Sequence, residues 1–238
     1  VNSDGFQDIG IVTSGSGAGN GKCYVIYGKA GGFPAILRNY ELNGANGFKI
    51  EGDAIVGKVG RLVSGLGDVN GDGIPDFALG SYNGSDQKRK FVIFGRSTNF
   101  PASFNVTALN GSNGFIIENS LEPLDSFTTV KKAGDLNDDG MNDLSITGRY
   151  VLFGRTSFPA IVDLKDLNGS NGFKNDTGSE NLHGYAGDFN GDGIDDYFVH
   201  IFSQTCIFFG KKIWPANVSQ TTDKNLKMEP MHHGREPE

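Results

Sequence analysis

A chain of 238 residues with 37% hydrophobic and 11% aromatic side chains can fill one large β domain or two small ones, which excludes wholesale disorder. The formal charge of −7 argues against a nucleic-acid-binding surface, and no run approaches the roughly 20 apolar residues of a membrane span. Glycine, at 36 residues without a period of three, excludes collagen and suits tight turns between short strands.

In chain order, "VNSDGFQD" (1–8) comes first, with no charged-then-apolar leader ahead of it. "SGSGAGNGK" (14–22) fails as a phosphate loop, because Ser16 stands where a glycine is required and Cys23 follows the lysine. It reads as a flexible hairpin tip. "YVIYG" (24–28), "FPA" (33–35) and "LNGANGF" (42–48) complete a first unit. The second runs through "VGRLVSGLGD" (59–68), "DVNGDGIPD" (68–76), "DFALGSY" (76–82), "KFVIFG" (90–95), "FPA" (100–102), "LNGSNGF" (109–115) and "GFIIEN" (114–119). "DLNDDGMND" (135–143), "YVLFG" (150–154), "FPA" (158–160) and "LNGSNGF" (167–173) make the third. "DFNGDGIDD" (188–196), "CIFFG" (206–210) and "WPA" (214–216) make a fourth, without the NG-NG-F turn.

Successive aromatic strands start 67, 59 and 56 residues apart, a period of about 60. Short Val, Ile, Phe and Leu runs bounded by Gly, Asn and Asp predict strands joined by hairpins, and no segment longer than ten residues keeps a helical period. Four strands per unit at a steady period predict an all-β fold of propeller blades, with units near 1–57, 58–123, 124–180 and 181–218. One blade cannot bury both faces, so blades must stack. The first unit starts inside its loop and the fourth lacks its last strand, as in a stretch of a longer array or a degenerate terminal copy. Residues 219–238 read as a disordered tail. Cys23 and Cys206, each beside an aromatic run, read as buried free thiols.

The loop D-x-N-x-D-G-x-x-D carries the chemistry. Side-chain oxygens at positions 1, 3, 5 and 9 converge only if the chain coils about a point, and glycine at position 6 (Gly73, Gly140, Gly193) permits the bend. Position 7 (Ile74, Met141, Ile194) would add its backbone carbonyl. Such mixed oxygen ligation suits calcium better than magnesium. Carboxylates about 4 Å apart repel by roughly 4 kcal/mol at an effective dielectric near 20, and a dication reverses that sign. An EF-hand needs Glu at position 12 and flanking helices, whereas Leu79, Ile146 and Val199 stand there between strands. An acidic turn without metal is the plainer alternative for one copy; three copies in register speak for a shared ligand.

These loops, followed by "DFALGS" and "FVIFG", resemble the FG-GAP repeat of integrin α-subunit propellers and their bacterial surface-protein relatives, over residues 1 to about 216. The resemblance implies a β-propeller; integrin propellers have seven blades against about four units here, so a closed ring of about four blades and a partial or open propeller are the alternatives. It implies calcium held by Asp68, Asn70, Asp72, Ile74 and Asp76; by Asp135, Asn137, Asp139, Met141 and Asp143; and by Asp188, Asn190, Asp192, Ile194 and Asp196. The first loop keeps Asn2, Asp4, Phe6 and Asp8 without its leading aspartate, a partial fourth site. "YFVHIFS" (197–203) departs from the family's small glycine-containing segment.

No G-x-S-x-G elbow occurs, and acids that recur in every unit do not read as a unique glycosidase pair. The expected function is a non-catalytic, extracellular calcium-binding segment for adhesion or protein recognition. Its partner would be a protein or cell-surface ligand, with further blades from other sequence or another chain. A non-catalytic part of a secreted hydrolase and a structural spacer in a surface array are the alternatives.

Overall fold

The computed structural model describes residues 1–13, 21–52, 58–82, 89–121, 129–176, 183–201, 204–219 and 227–230. The hairpin tip at 14–20 and the adjacent His232 and His233 lie outside these. The described residues are all-β, interrupted only by single 3₁₀ turns at 39–41, 106–108 and 164–166.

In chain order the strands are β1 (Ile9–Thr13), β2 (Lys22–Ile26), β3 (Gly47–Glu51), β4 (Lys58–Gly67), β5 (Asp76–Tyr82), β6 (Lys90–Ile93), β7 (Ser103–Asn105), β8 (Gly114–Glu118) and β9 (Val130–Gly134). There follow β10 (Asp143–Ile146), β11 (Tyr150–Leu152), β12 (Ile161–Asp163), β13 (Gly172–Asn175), β14 (His183–Gly187), β15 (Asp196–Ile201), β16 (Gln204–Phe208), β17 (Asn217–Val218) and β18 (Lys227–Pro230). They form four sheets: β1-β2-β3-β7, β4-β5-β6-β8-β12, β9-β10-β11-β13-β17 and β14-β15-β16-β18.

Consecutive strands within a unit pair antiparallel, as hairpin punctuation predicts. The expectation of four strands per sheet is corrected in the second and third, which have five. The extra strand is lent by the following unit. The segment after the second, third and fourth F/W-P-A leaves its own sheet and adds parallel to the outer strand of the sheet before: β7 on β3, β12 on β8, β17 on β13. Each addition is fixed by the same bond, the alanine carbonyl of F/W-P-A accepting from Lys49, Ile116 or Lys174 N–H at 2.8–3.0 Å. A second correction concerns the presumed tail: residues 227–230 form β18 and pair antiparallel with β16.

The two sequence signatures of each unit meet at this junction. Phe100 stacks on Phe48 with centroids 4.2 Å apart, Phe158 on Phe115 at 4.2 Å and Trp214 on Phe173 at 4.3 Å. The aromatic of one unit's F/W-P-A therefore lies flat on the NG-NG-F phenylalanine of the unit before. A cation covers it: Arg96, Arg155 and Lys211, each just after the F-G pair, sit 3.9, 4.6 and 4.6 Å from the ring centroid. The turn glycine Gly111 has φ +94°, and a Cβ there would lie 2.3 Å from the Phe158 carbonyl oxygen. Only glycine fits both constraints.

Strand alternation sends successive side chains to opposite faces, so each interior sheet buries both. Phe77, Leu79, Phe91 and Ile93 of the second sheet pack with Cys23, Val25, Phe48 and Ile50 of the first. Ala78, Val92, Phe115 and Ile117 turn the other way, onto Val130, Leu144, Ile146 and Leu152 of the third. Val151, Phe153 and Phe173 meet Tyr197, Val199, Cys206 and Phe208 of the fourth. The sheets thus stack in chain order, and among the described residues no core joins the fourth to the first. Cys23 and Cys206 are buried free thiols, as expected; burial pushes the Cys23 thiol up to about 12.

Candidate functional site

The three complete aspartate loops fold as hairpin connections, β4–β5, β9–β10 and β14–β15, with nearly the same geometry. Position 1 closes the loop inward. Asp68 Oδ1 accepts from Gly71 and Asp72 N–H at 2.8 and 3.1 Å, and its Oδ2 from Gly73 N–H at 2.7 Å. Asp188 accepts from Gly191, Asp192 and Gly193 at 2.7–3.0 Å, and Asp135 from Asp139 and Gly140 at 3.0 and 2.8 Å. At position 5, Asp72, Asp139 and Asp192 each accept from the N–H of position 7 (Ile74, Met141, Ile194) and from the amide of position 3 (Asn70, Asn137, Asn190) at 2.8–3.0 Å. The first loop repeats this, with Asp4 accepting from Phe6 N–H and Asn2 Nδ2, both at 2.8 Å.

Two positions per loop need a left-handed backbone, not one. Position 6 has φ between +82° and +90° at Gly73, Gly140 and Gly193. Position 4 has it too, at Gly71, Gly191 and Asp138, the last at φ +58°. Asp tolerates that region better than most residues, which explains why D can replace G at position 4 in "NDDG".

Position 9 faces the other way. Asp76 is buried; its Oδ2 accepts from Val69 N–H at 2.9 Å and its Oδ1 from Gly95 N–H at 2.8 Å. Asp143 does the same with Leu136 and Gly154, and Asp196 with Phe189, Asn190 and Gly210. Asp8 holds Gly28 N–H at 3.0 Å. Every position-9 carboxylate therefore reaches the glycine that ends its own unit's aromatic strand, Tyr27-Gly28 in the first unit and an F-G pair in the others. That glycine is tight against the loop as well: a Cβ on Gly95 would lie 2.5 Å from the Pro75 carbonyl oxygen, and one on Gly210 2.3 Å from that of Asp195. The separation of the two motifs differs, at 19, 11 and 14 residues in the three complete units, while the clasp is kept.

The loops also lie against one another along one rim. Asn142, at position 8, donates its backbone N–H to the Asp68 carbonyl at 2.7 Å. Asp195, at the same position, accepts from Asp135 N–H at 3.0 Å and from Tyr185 OH at 3.1 Å. Position 2 belongs to the next unit: the carbonyls of Val1, Val69 and Leu136 accept from Arg96, Arg155 and Lys211 N–H.

Among the described residues, no three His, Cys, Asp or Glu side chains are gathered in an arrangement that holds a metal ion. The donor chemistry nevertheless fits one. Asn137 Oδ1 and Asn2 Oδ1, both at position 3, are buried acceptors without a donor, the kind of group that a protein interior leaves unpaired at a cost. The flanking carboxylates of Asp135 and Asp139 are oxygen donors of the hard type that calcium takes.

Burial also sets the charge of the clasp. Desolvation pushes Asp76 up to about 7 despite its two amide donors, with the carboxylates of Asp72 and Asp68 adding to the rise, and pushes Asp143 well above its usual range. Because the folded Asp76 holds its proton more tightly than the unfolded one, its contribution to metal-free stability is full below about pH 4. It is lost as pH rises through about 7. Urea melts of metal-free protein between pH 4 and 8 should show that decline, and Asp76→Asn should flatten it.

Sequence reasoning missed a buried polar brace between the third and fourth sheets. His183 Nδ1 lies 2.6 Å from Ser145 Oγ, its Nε2 2.8 Å from Thr129 Oγ1, and Ser145 Oγ 2.8 Å from Tyr197 OH. A serine beside an imidazole suggests a nucleophile and base, yet Ser145, His183 and Tyr197 are all buried. Burial, with a smaller push from Lys131, lowers the His183 pKa to about 3 and keeps the ring neutral. The cluster acts as a satisfied core network. Isolated serine and histidine letters far apart in the chain carry no signal for it.

Residues 60–92 match the family model of the FG-GAP repeat. No curated protein matches the chain. The matched span runs from β4 through the first complete aspartate loop and β5 into β6, so the chain carries an FG-GAP repeat there, as the resemblance in its sequence implies.

Proposed function

We propose that the chain is a calcium-stabilised β-propeller segment that serves extracellular recognition or adhesion, without catalysis of its own. The observation that supports this best is the threefold repetition of one loop geometry on one rim, built from Asp, Asn and Gly at fixed positions beside an FG-GAP match. Positions 1, 3 and 5 of each loop would supply side-chain oxygens: Asp68, Asn70 and Asp72; Asp135, Asn137 and Asp139; Asp188, Asn190 and Asp192. Ile74, Met141 and Ile194 would add carbonyls, and Asp76, Asp143 and Asp196 the lone pairs not used in the clasp. Asn2, Asp4, Phe6 and Asp8 would make a partial fourth site. The ion is structural: it neutralises the crowded carboxylates and rigidifies the rim, leaving other surface loops for a protein or cell-surface partner.

Calorimetric titration with calcium tests this reading. About three ions should bind, and Asp139→Ala should remove one of them. Absence of binding at millimolar calcium would refute the proposal.

A further inference from the structure

The first unit carries the same lending segment as the others, but among the described residues no sheet receives it. "FPAILR" (33–38) aligns with "FPASFN" (100–105), "FPAIVD" (158–163) and "WPANVS" (214–219). The latter three are docked, with Phe100, Phe158 and Trp214 only 3–6% exposed. Phe33 is 53% exposed, Leu37 is part-exposed where the aligned Phe104, Val162 and Val218 are buried, and residues 33–38 form no strand. The cation that covers the docked aromatics is already in place, with Lys29 Nζ 5.3 Å from the Phe33 centroid.

The face beside this arm is open in the same sense. Ile9 and Ile11 of β1 occupy the positions of Phe77 and Leu79 in β5, which are buried against the preceding sheet. Ile9 and Ile11 are instead 59% and 45% exposed. Ile11 lines a groove of about 290 Å³ with Tyr24, Ile26, Leu37 and Leu42. One position departs from the template: Asn39 stands where Val106 and Leu164 are buried, its amide bonded to Tyr24 OH at 3.1 Å.

We propose that residues 33–37, with the outer face of β1 and β2, form a docking surface for one further sheet of the same repeat type, whose outer strand begins with an N-G-x-N-G-F turn. The occupant is specified by three internal copies of the joint. Each receives the aromatic on the turn phenylalanine, the alanine carbonyl on an outer-strand N–H, and a carbonyl against the turn glycine. The fourth sheet of a second copy does not meet that description, because no NG-NG-F turn follows WPA and β18 has a different sequence.

The test is an extended chain in which a second copy of residues 58–135 precedes Val1, in repeat register. Backbone amides at 35–38 should exchange at least about tenfold more slowly than in the 238-residue chain. Phe33→Ala should lower the melting temperature of the extended chain by about 10 °C and leave that of the 238-residue chain within about 1 °C. Unchanged exchange at 35–38, while strands of the added copy are protected, overturns the proposal. If the extended chain does not fold, the 238-residue chain still decides: Phe33→Ala costing as much as Phe100→Ala would show the arm already docked, contrary to the proposal. A Phe33-dependent dimer of the 238-residue chain in sedimentation would make a second copy the occupant and also overturn it.

Discussion

Phe158→Ala should destabilise the protein by about 3–5 kcal/mol and lower its melting temperature by roughly 10 °C. Phe158 is buried, stacked on Phe115, tilted against Phe94 and covered by Arg155. Truncation removes a large apolar side chain from the core between the second and third sheets and leaves a cavity there. It also loosens the bond from Ile116 N–H to the Ala160 carbonyl that anchors β12. The measurement is urea unfolding followed by circular dichroism. Ile161→Ala, at a half-exposed position of the same strand, should cost less than about 1 kcal/mol. If the two substitutions cost the same, the aromatic is not what holds the sheets together.

Removing calcium should have an effect of similar size or larger. A ligand that binds only the folded state stabilises by about 2.7 kcal/mol per site at a hundredfold excess over Kd, so three independent sites would add about 8 kcal/mol. Melts in millimolar calcium against excess chelator should therefore differ by well over 10 °C. The gap should narrow in Asp72→Ala, which removes a position-5 carboxylate without touching the buried clasp at Asp76. Equal melts in calcium and chelator would mean that the loops are held by their own hydrogen bonds alone.

Local features of this fold were legible because their causes are local. The aspartate loops, the aromatic strands and the hairpins between them follow from residues within about ten positions of each other, and the strands stand where those runs predict. The F-G pair was visible as a signal, but its reason was not. Gly95 is fixed by Asp76, a partner nineteen residues away, and by the Pro75 carbonyl. The same limit hid the lending of β7, β12 and β17: F-P-A and NG-NG-F are adjacent in sequence within a unit, whereas the pairs that stack come from successive units. β18 was missed because "KMEP" is four residues long with no β-branched or aromatic side chain, and its strand is defined by β16 beside it. At position 9 the sequence pointed to an oxygen donor for a metal, and the clasp that the same carboxylate makes with backbone amides leaves no mark in its letter.

Crystals grown with calcium and measured near long X-ray wavelengths would locate the ions directly. An anomalous peak within about 2.3–2.6 Å of the position-1 and position-5 carboxylates in each of the three complete loops is the predicted result. Loops without any peak, their aspartates still turned onto backbone amides, would contradict the account.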